Sequence, residues 1–182
     1  KDAYEKAEGL YKNYKWGYKT PPELYLNQAR LLLTLGLHKE AANYGLRYIR
    51  WVPGAGPGHF VLGKIYTALG KLEDALREYN QSANDPKLKA QALNNRALIF
   101  IRKYHFNRAF EELHHAITID PNLFDAHYNL GNLLIQANGD PIMAREHLET
   151  ALKLSTNQES QRRIKHSLDN LFGDFQGSTE AD

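Results

Sequence analysis

A small residue recurs every 34 positions along this chain, at Ala29, Gly63, Ala97 and Gly131. A bulky residue follows three places after each: Leu32, Tyr66, Phe100 and Leu134. An alanine stands twelve places after the first three (Ala41, Ala75, Ala109) and thirteen after the last (Ala144). A fixed period of this length marks units that cannot bury their apolar faces alone, so each must stack on its neighbours. A stack of that kind exposes a long surface. Its expected work is holding other molecules rather than performing chemistry.

The residues around each landmark are more specific than the period. The second unit reads Leu62-Gly63-x-x-Tyr66, then Gly70, Ala75, Tyr79 and Ser82, and the third reads Ala97-x-x-Phe100, then Ala109, Leu113, Ala116 and Pro121. The fourth reads Leu130-Gly131-x-x-Leu134, then Ala144, Leu148 and Ala151, while the first is looser, with Ala29, Leu32, Gly36, Ala41, Tyr48 and Pro53. Over residues 22 to 155 this resembles the tetratricopeptide repeat, whose fingerprint is W-x2-L-G-x2-Y followed by Ala, Phe and Pro. Several positions depart from it. The Trp site holds Tyr25, His59, Leu93 and His127, Arg96 takes a leucine site, and Gly45 takes an aromatic site. Asn138-Gly139-Asp140 adds one residue to the last turn.

The resemblance implies an all-α, right-handed α-solenoid of helix-turn-helix 34-residue repeats with a C-terminal capping helix. Its units are placed at 22–55, 56–89, 90–123 and 124–156. Residues 1–19 fit the second helix of a truncated repeat, with Ala7 and Tyr11 in frame, so the array is expected to continue upstream. The apolar residues Ile164, Leu168, Leu171 and Phe175, interleaved with Arg162, Arg163, Lys165, His166 and Asp169, predict a capping helix at 157–175, stopped by Gly173. Residues 176–182 read as a disordered tail. Thr20 before Pro21-Pro22-Glu23, Asp85-Pro86, Asp140-Pro141 and the Thr156-x-x-Glu159 box read as helix starts. Gly54-Ala55-Gly56-Pro57-Gly58 reads as a turn between repeats, because no Gly-Lys-Ser/Thr follows it as a phosphate loop requires.

Composition narrows the function. The chain holds 42% hydrophobic and 24% charged residues and no cysteine, which removes disulfides, thiolate metal sites and a cysteine nucleophile. A net charge of +2 gives nucleic acid little to hold. No apolar run approaches the roughly 20 residues of a membrane span. Lys1-Asp2-Ala3-Tyr4 has no start Met and no signal-like apolar stretch, so the chain reads as excised or processed, and its localisation is left open. His114 and His115 project about 100° apart on a helix, and no HExxH occurs. Neither a metal nor any other cofactor is expected.

In the family the first helix of each repeat lines a concave groove. Two places before each small residue stand Asn27, Val61, Asn95 and Asn129, so three repeats of four carry Asn at one position. That ladder resembles the one in the repeat domain of the O-linked N-acetylglucosamine transferase. A carboxamide both donates and accepts, so it can pair with any peptide backbone; it can equally bond within the stack. Flanking sites add Phe60, Asn94 and Tyr128 on one side and Arg30, Lys64 and Asn132 on the other. A basic end at Arg30 and Lys64 suits an acidic peptide. The clamp by which some members hold a C-terminal carboxylate is not matched, since Leu26, Asn94 and Leu98 occupy its other sites.

The expectation is therefore a non-enzymatic protein-interaction module that binds a partner peptide or helix in its groove. Two alternatives fit the same residues: a non-catalytic targeting arm of a larger enzyme, and a self-assembling scaffold. The second would be a homo-oligomer joined through the aromatic N-terminal edge (Tyr4, Tyr11, Tyr14). No nucleic-acid partner and no membrane span are expected.

Overall fold

A computed structural model of the chain describes residues 21–176, with side chains to residue 171. The predicted half repeat at 1–19, Thr20 and the tail from 177 onward lie outside the described residues. Within them the chain forms nine α-helices and no strand: α1 (Pro22–Thr34), α2 (His38–Trp51), α3 (Gly56–Ala68), α4 (Leu72–Ser82), α5 (Lys89–Arg102), α6 (Phe106–Ile119), α7 (Phe124–Gln136), α8 (Pro141–Leu154) and α9 (Gln158–Gln176). They divide into two compact units, one ending at Leu88 and the other starting at Lys89.

The even-numbered helices bury one narrow stripe each. Ala75, Tyr79 and Ser82 do so on α4, Ala109, Leu113 and Ala116 on α6, and Ala144, Leu148 and Ala151 on α8. Steps of four and three keep such residues on one face of a 3.6-residue helix. The odd-numbered helices are covered on more sides: α3 buries Val61, Leu62, Gly63 and Ile65. In the first unit the core gathers Leu26, Leu32, Tyr48, Leu62 and Ile65. In the second it gathers Leu93, Leu113, Leu130 and Leu133, with a further cluster of Leu148, Ala151 and Ile164 under α9. Each fully buried leucine is worth roughly 1.5–3 kcal/mol, so these faces rather than local propensity hold the helices.

Small residues stand where helices cross. A methyl added to Gly63 would lie 2.6 Å from the Tyr79 ring, and one added to Gly131 would lie 2.6 Å from Leu148 Cγ. The glycine-rich stretch at 54–58 departs from the expected turn: Gly56, Pro57 and Gly58 form the first turn of α3. A Cβ on Gly58 would sit 2.4 Å from the Tyr48 ring and one on Gly56 2.5 Å from Asp85 Cβ, so their size serves close packing.

The turns after α1, α3, α5 and α7 are one motif. Leu37, Lys71, His105 and Gly139 each donate their amide five residues back, to Leu32, Tyr66, Phe100 and Leu134, at 2.8 to 2.9 Å. This closure needs a left-handed residue, at Gly36 and Gly70 (both φ +73°), Tyr104 (φ +58°) and Asn138 (φ +50°).

Helix starts differ in part from expectation. Asp140 caps α8 as predicted, its Oδ1 accepting from the amides of Ile142 at 2.8 Å and Met143 at 3.3 Å. Asp85 caps no helix, because α5 starts at Lys89; its Oδ1 accepts from Lys87 N at 3.0 Å and closes a local turn. Asn157 takes the capping role expected of Thr156, its Oδ1 accepting from Ser160 N at 2.7 Å. The α9 helix runs past Gly173, where a glycine costs only about 1 kcal/mol.

Each pair of helices is also tied at one recurring seat, with different chemistry each time. Tyr25 and Tyr44 meet at 6.4 Å beneath the Arg47 guanidinium. His59 lies between Glu78 and the Pro53 carbonyl, with both nitrogen-to-oxygen distances 2.7 Å. Arg96, one turn from Leu93, donates to Glu112 at 2.6 Å. His127 meets His147, Nδ1 to Nδ1, at 3.0 Å, and its Nε2 lies 3.0 Å from the Pro121 carbonyl. A carbonyl can only accept, so His127 Nε2 carries a proton; in the neutral ring Nδ1 is then bare and accepts from His147 Nδ1–H.

Candidate functional site

In the second unit a cleft of about 300 Å³ is lined by Asn94, Asn95, Leu98, Phe124, Asp125, Tyr128, Asn129, Ser160 and Arg163. Helices α5 and α7 supply most of its wall and α9 supplies Ser160 and Arg163. Because α5 and α7 are the first helices of their repeats, residues 34 or 35 apart in sequence become neighbours. Asn129 Nδ2 accordingly donates to Asn94 Oδ1 at 2.8 Å. Asn94 is buried, 5% exposed, so its amide steadies the stack and its neighbour.

Aromatic and charged groups finish the cleft. Phe124 and Tyr128, one helical turn apart, lie parallel within 4° at 6.1 Å. The Arg163 guanidinium stands 5.2 Å over the Tyr128 ring, close enough for cation–π attraction. Neither Arg163 nor Asp125 forms an ion pair among the described residues. A flat guanidinium on an aromatic face keeps its N–H edge free for planar acceptors.

The predicted site residues fall into different situations. Asn95 and Asn129 line the cleft with Tyr128, and the Asn95 side chain has no hydrogen-bond partner among the described residues. Asn132 is engaged elsewhere: its Nδ2 donates to the Tyr128 carbonyl at 2.8 Å, and its Oδ1 accepts from Ser167 Oγ at 2.8 Å, tying α7 to α9. In the first unit Asn27, Arg30 and Lys64 are exposed, and Phe60 is half-buried, its ring edge-to-face with that of Tyr79 at a centroid separation of 5.9 Å. Ser160, Arg163 and Asp125 were not singled out from the sequence. The first two lie on the capping helix, which has no counterpart in the repeat frame to align them with a groove.

Among the described residues no three His, Asp or Glu side chains gather as a metal ion would need. Glu112 is held above the usual carboxylate range by burial, with the Arg96 guanidinium pulling the other way. His147 is held below the usual imidazole range by burial and by His127 and His114 beside it.

The family model for the tetratricopeptide repeat matches residues 115–146, from the end of α6 into α8. A solved structure of TTC0263, a thermophilic tetratricopeptide-repeat protein of Thermus thermophilus, is 22% identical, with a TM-score of 0.72 over 92% of this chain and 91% of that one. Residues 115–146 match the tetratricopeptide repeat, and the chain shares the fold of tetratricopeptide-repeat proteins. PilF of Pseudomonas aeruginosa is 21% identical, with a TM-score of 0.74 over 86% of this chain and 69% of that one. A chain of the APC/C hetero-tetramer Cut9–Hcn1 is 16% identical, with a TM-score of 0.72 over 92% of this chain and 32% of that one. No curated protein sequence matches. At these identities the structural likeness carries the fold, an all-α solenoid of helical repeats. Tetratricopeptide repeats serve in general as protein–protein interaction scaffolds and are generally non-catalytic, which makes protein partners the expectation for these repeats. Among the described residues no helix is long and apolar enough to cross a membrane.

Proposed function

We propose that this protein is a non-enzymatic adaptor that holds a segment of a partner protein against the first helices of its repeats. The observation that carries the reading is the cleft of α5, α7 and α9, where Asn95 and Asn129 stand beside the Tyr128–Arg163 stack. Carboxamides there satisfy the donors and acceptors of a peptide backbone whatever its sequence, and Tyr128 with Phe124 offers a flat apolar face for one side chain. Arg163 favours a carboxylate on the bound segment. In the first unit Asn27, Arg30, Lys64 and Phe60 are proposed to serve the same partner chain. That one structural relative is a chain of a hetero-tetramer agrees with a holding role.

The test is paired affinity capture with the wild-type chain and the Asn27→Ala/Asn95→Ala/Asn129→Ala variant. A partner held by the first and lost by the second, with unchanged helical circular dichroism, is the expected result. Equal capture by both would remove the groove from the reading.

A further inference from the structure

The turn between α5 and α6 differs from its three counterparts in backbone strain and charge. All four need a left-handed residue, filled by Gly36, Gly70 and Asn138 in the others and by Tyr104 here, at φ +58°. Glycine adopts this conformation freely and asparagine tolerates it, whereas a bulky side chain there is strained. Burial does not repay the strain, because Tyr104 is 77% exposed. Among the described residues its ring meets that of Phe106, edge-on at 6.1 Å and 66°, and Phe106 itself packs against the core. One face of the tyrosine is thus held out over an open depression of about 490 Å³ lined by Tyr104, His105, Phe106, Asn107 and Arg108.

The charge is as distinctive. The segment Arg102-Lys103-Tyr104-His105-Phe106-Asn107-Arg108 has three cations and no acid. The equivalent segments offer Lys39 against Glu40, Lys71 against Glu73 and Asp74, and Asp140 alone. Arg108 leans over the Phe100 ring at 6.0 Å, and neither it nor Arg102 forms an ion pair among the described residues.

We propose that this turn is a second docking surface, separate from the cleft, and that it takes an acidic segment of a partner protein. Carboxylates of the segment pair with Arg102 and Arg108 while an apolar side chain lies on the Tyr104 ring. Tyrosine and arginine dominate the energetics of protein interfaces, because each brings large contact area with directed polar groups. A nucleic acid is disfavoured by the count of charges: holding a phosphate backbone at physiological salt takes many cations, and this chain has a net charge of only +2. A lipid surface is disfavoured because a single exposed ring and three cations offer little beyond electrostatic attraction.

The experiment is a titration of the isotope-labelled full chain, followed by backbone amide resonances. The probe is a short synthetic peptide alternating glutamate with leucine. Controls are its lysine counterpart, oligouridylate and phosphatidylserine vesicles. The glutamate peptide is expected to shift the amides of 102–108 and leave those of Asn95 and Asn129 in place. Tyr104→Gly should raise the thermal midpoint yet weaken binding about fivefold or more, the scale of an interface hot spot. Arg102→Gln/Arg108→Gln should weaken it similarly at unchanged midpoint. Equal binding by Tyr104→Gly, or a fall in its midpoint, overturns the proposal. So does equal binding by the lysine peptide, preference for either anionic control, or a response confined to the cleft.

Discussion

At the scale of single residues, backbone geometry and close contact decide most outcomes. Tyr104 sits where a left-handed conformation costs an ordinary residue about 1–2 kcal/mol, and glycine returns part of that through its freer unfolded chain. Tyr104→Gly is therefore expected to gain roughly 0.5–1 kcal/mol in urea unfolding. Gly63→Ala has the opposite sign: its methyl would press on the Tyr79 ring, so a loss of roughly 1–3 kcal/mol is expected from the same measurement. His147 gives a pH dependence. Its folded state disfavours the proton, so the unfolded chain binds more protons once pH falls through the free-imidazole range near 6.5. Stability should fall as the chain is acidified through that range and level off below the folded value. His147→Gln, compared with wild type between about pH 5 and pH 7, should flatten the slope. The sequence placed the histidine at 127 in a core seat, but it could not show that a second histidine faces it.

At the scale of helices, the sequence pattern was legible where packing sets it and less so where single hydrogen bonds do. The 34-residue period predicted the close crossings at Gly63 and Gly131, because a small residue there answers to the bulk of a whole neighbouring helix, but not those at Gly56 and Gly58, which lie outside it. Caps were harder. Thr156, Asn157 and Asp85 all carry suitable side chains, and only the backbone path decides which of them meets a free amide. Asp140→Ala and Asn157→Ala should each cost about 1 kcal/mol, while Thr156→Ala should cost little. Comparing the three by chemical denaturation checks the assignment. The pair of Arg96 and Glu112 ties α5 to α6 in a half-dry setting, where Arg96 Nε and Glu112 Oε2 have no further partner among the described residues. Arg96→Leu alone should cost roughly 3 kcal/mol by stranding the Glu112 carboxylate, and Arg96→Leu/Glu112→Leu should recover most of it. The cleft was legible on α5 and α7, where the Asn positions repeat. The share of α9 was not, since a helix outside the period gives no frame from which to read Ser160 and Arg163.

At the scale of the whole chain, each compact unit has its own apolar core, the second with both the Leu113–Leu130 cluster and the Ile164 cluster. Residues 89–182 produced alone should therefore keep their helical circular dichroism and unfold cooperatively. Loss of helicity in that fragment would show that its core is insufficient. A chain made of near-identical units faces a particular hazard: a helix can fold against the wrong copy of its partner, 34 residues away, and still satisfy the same stripe of alanines. The recurring seat removes that degeneracy. Arg96 finds a carboxylate on α6 but would meet an imidazole on α8, and α5 in the place of α7 would leave His147 without its bond to His127. Tyr25 would exchange its tyrosine partner for a carboxylate on α4. Four different locks on four otherwise interchangeable doors give each helix an address, so the assembly order of the repeats is written into the chain beside the period that makes them alike.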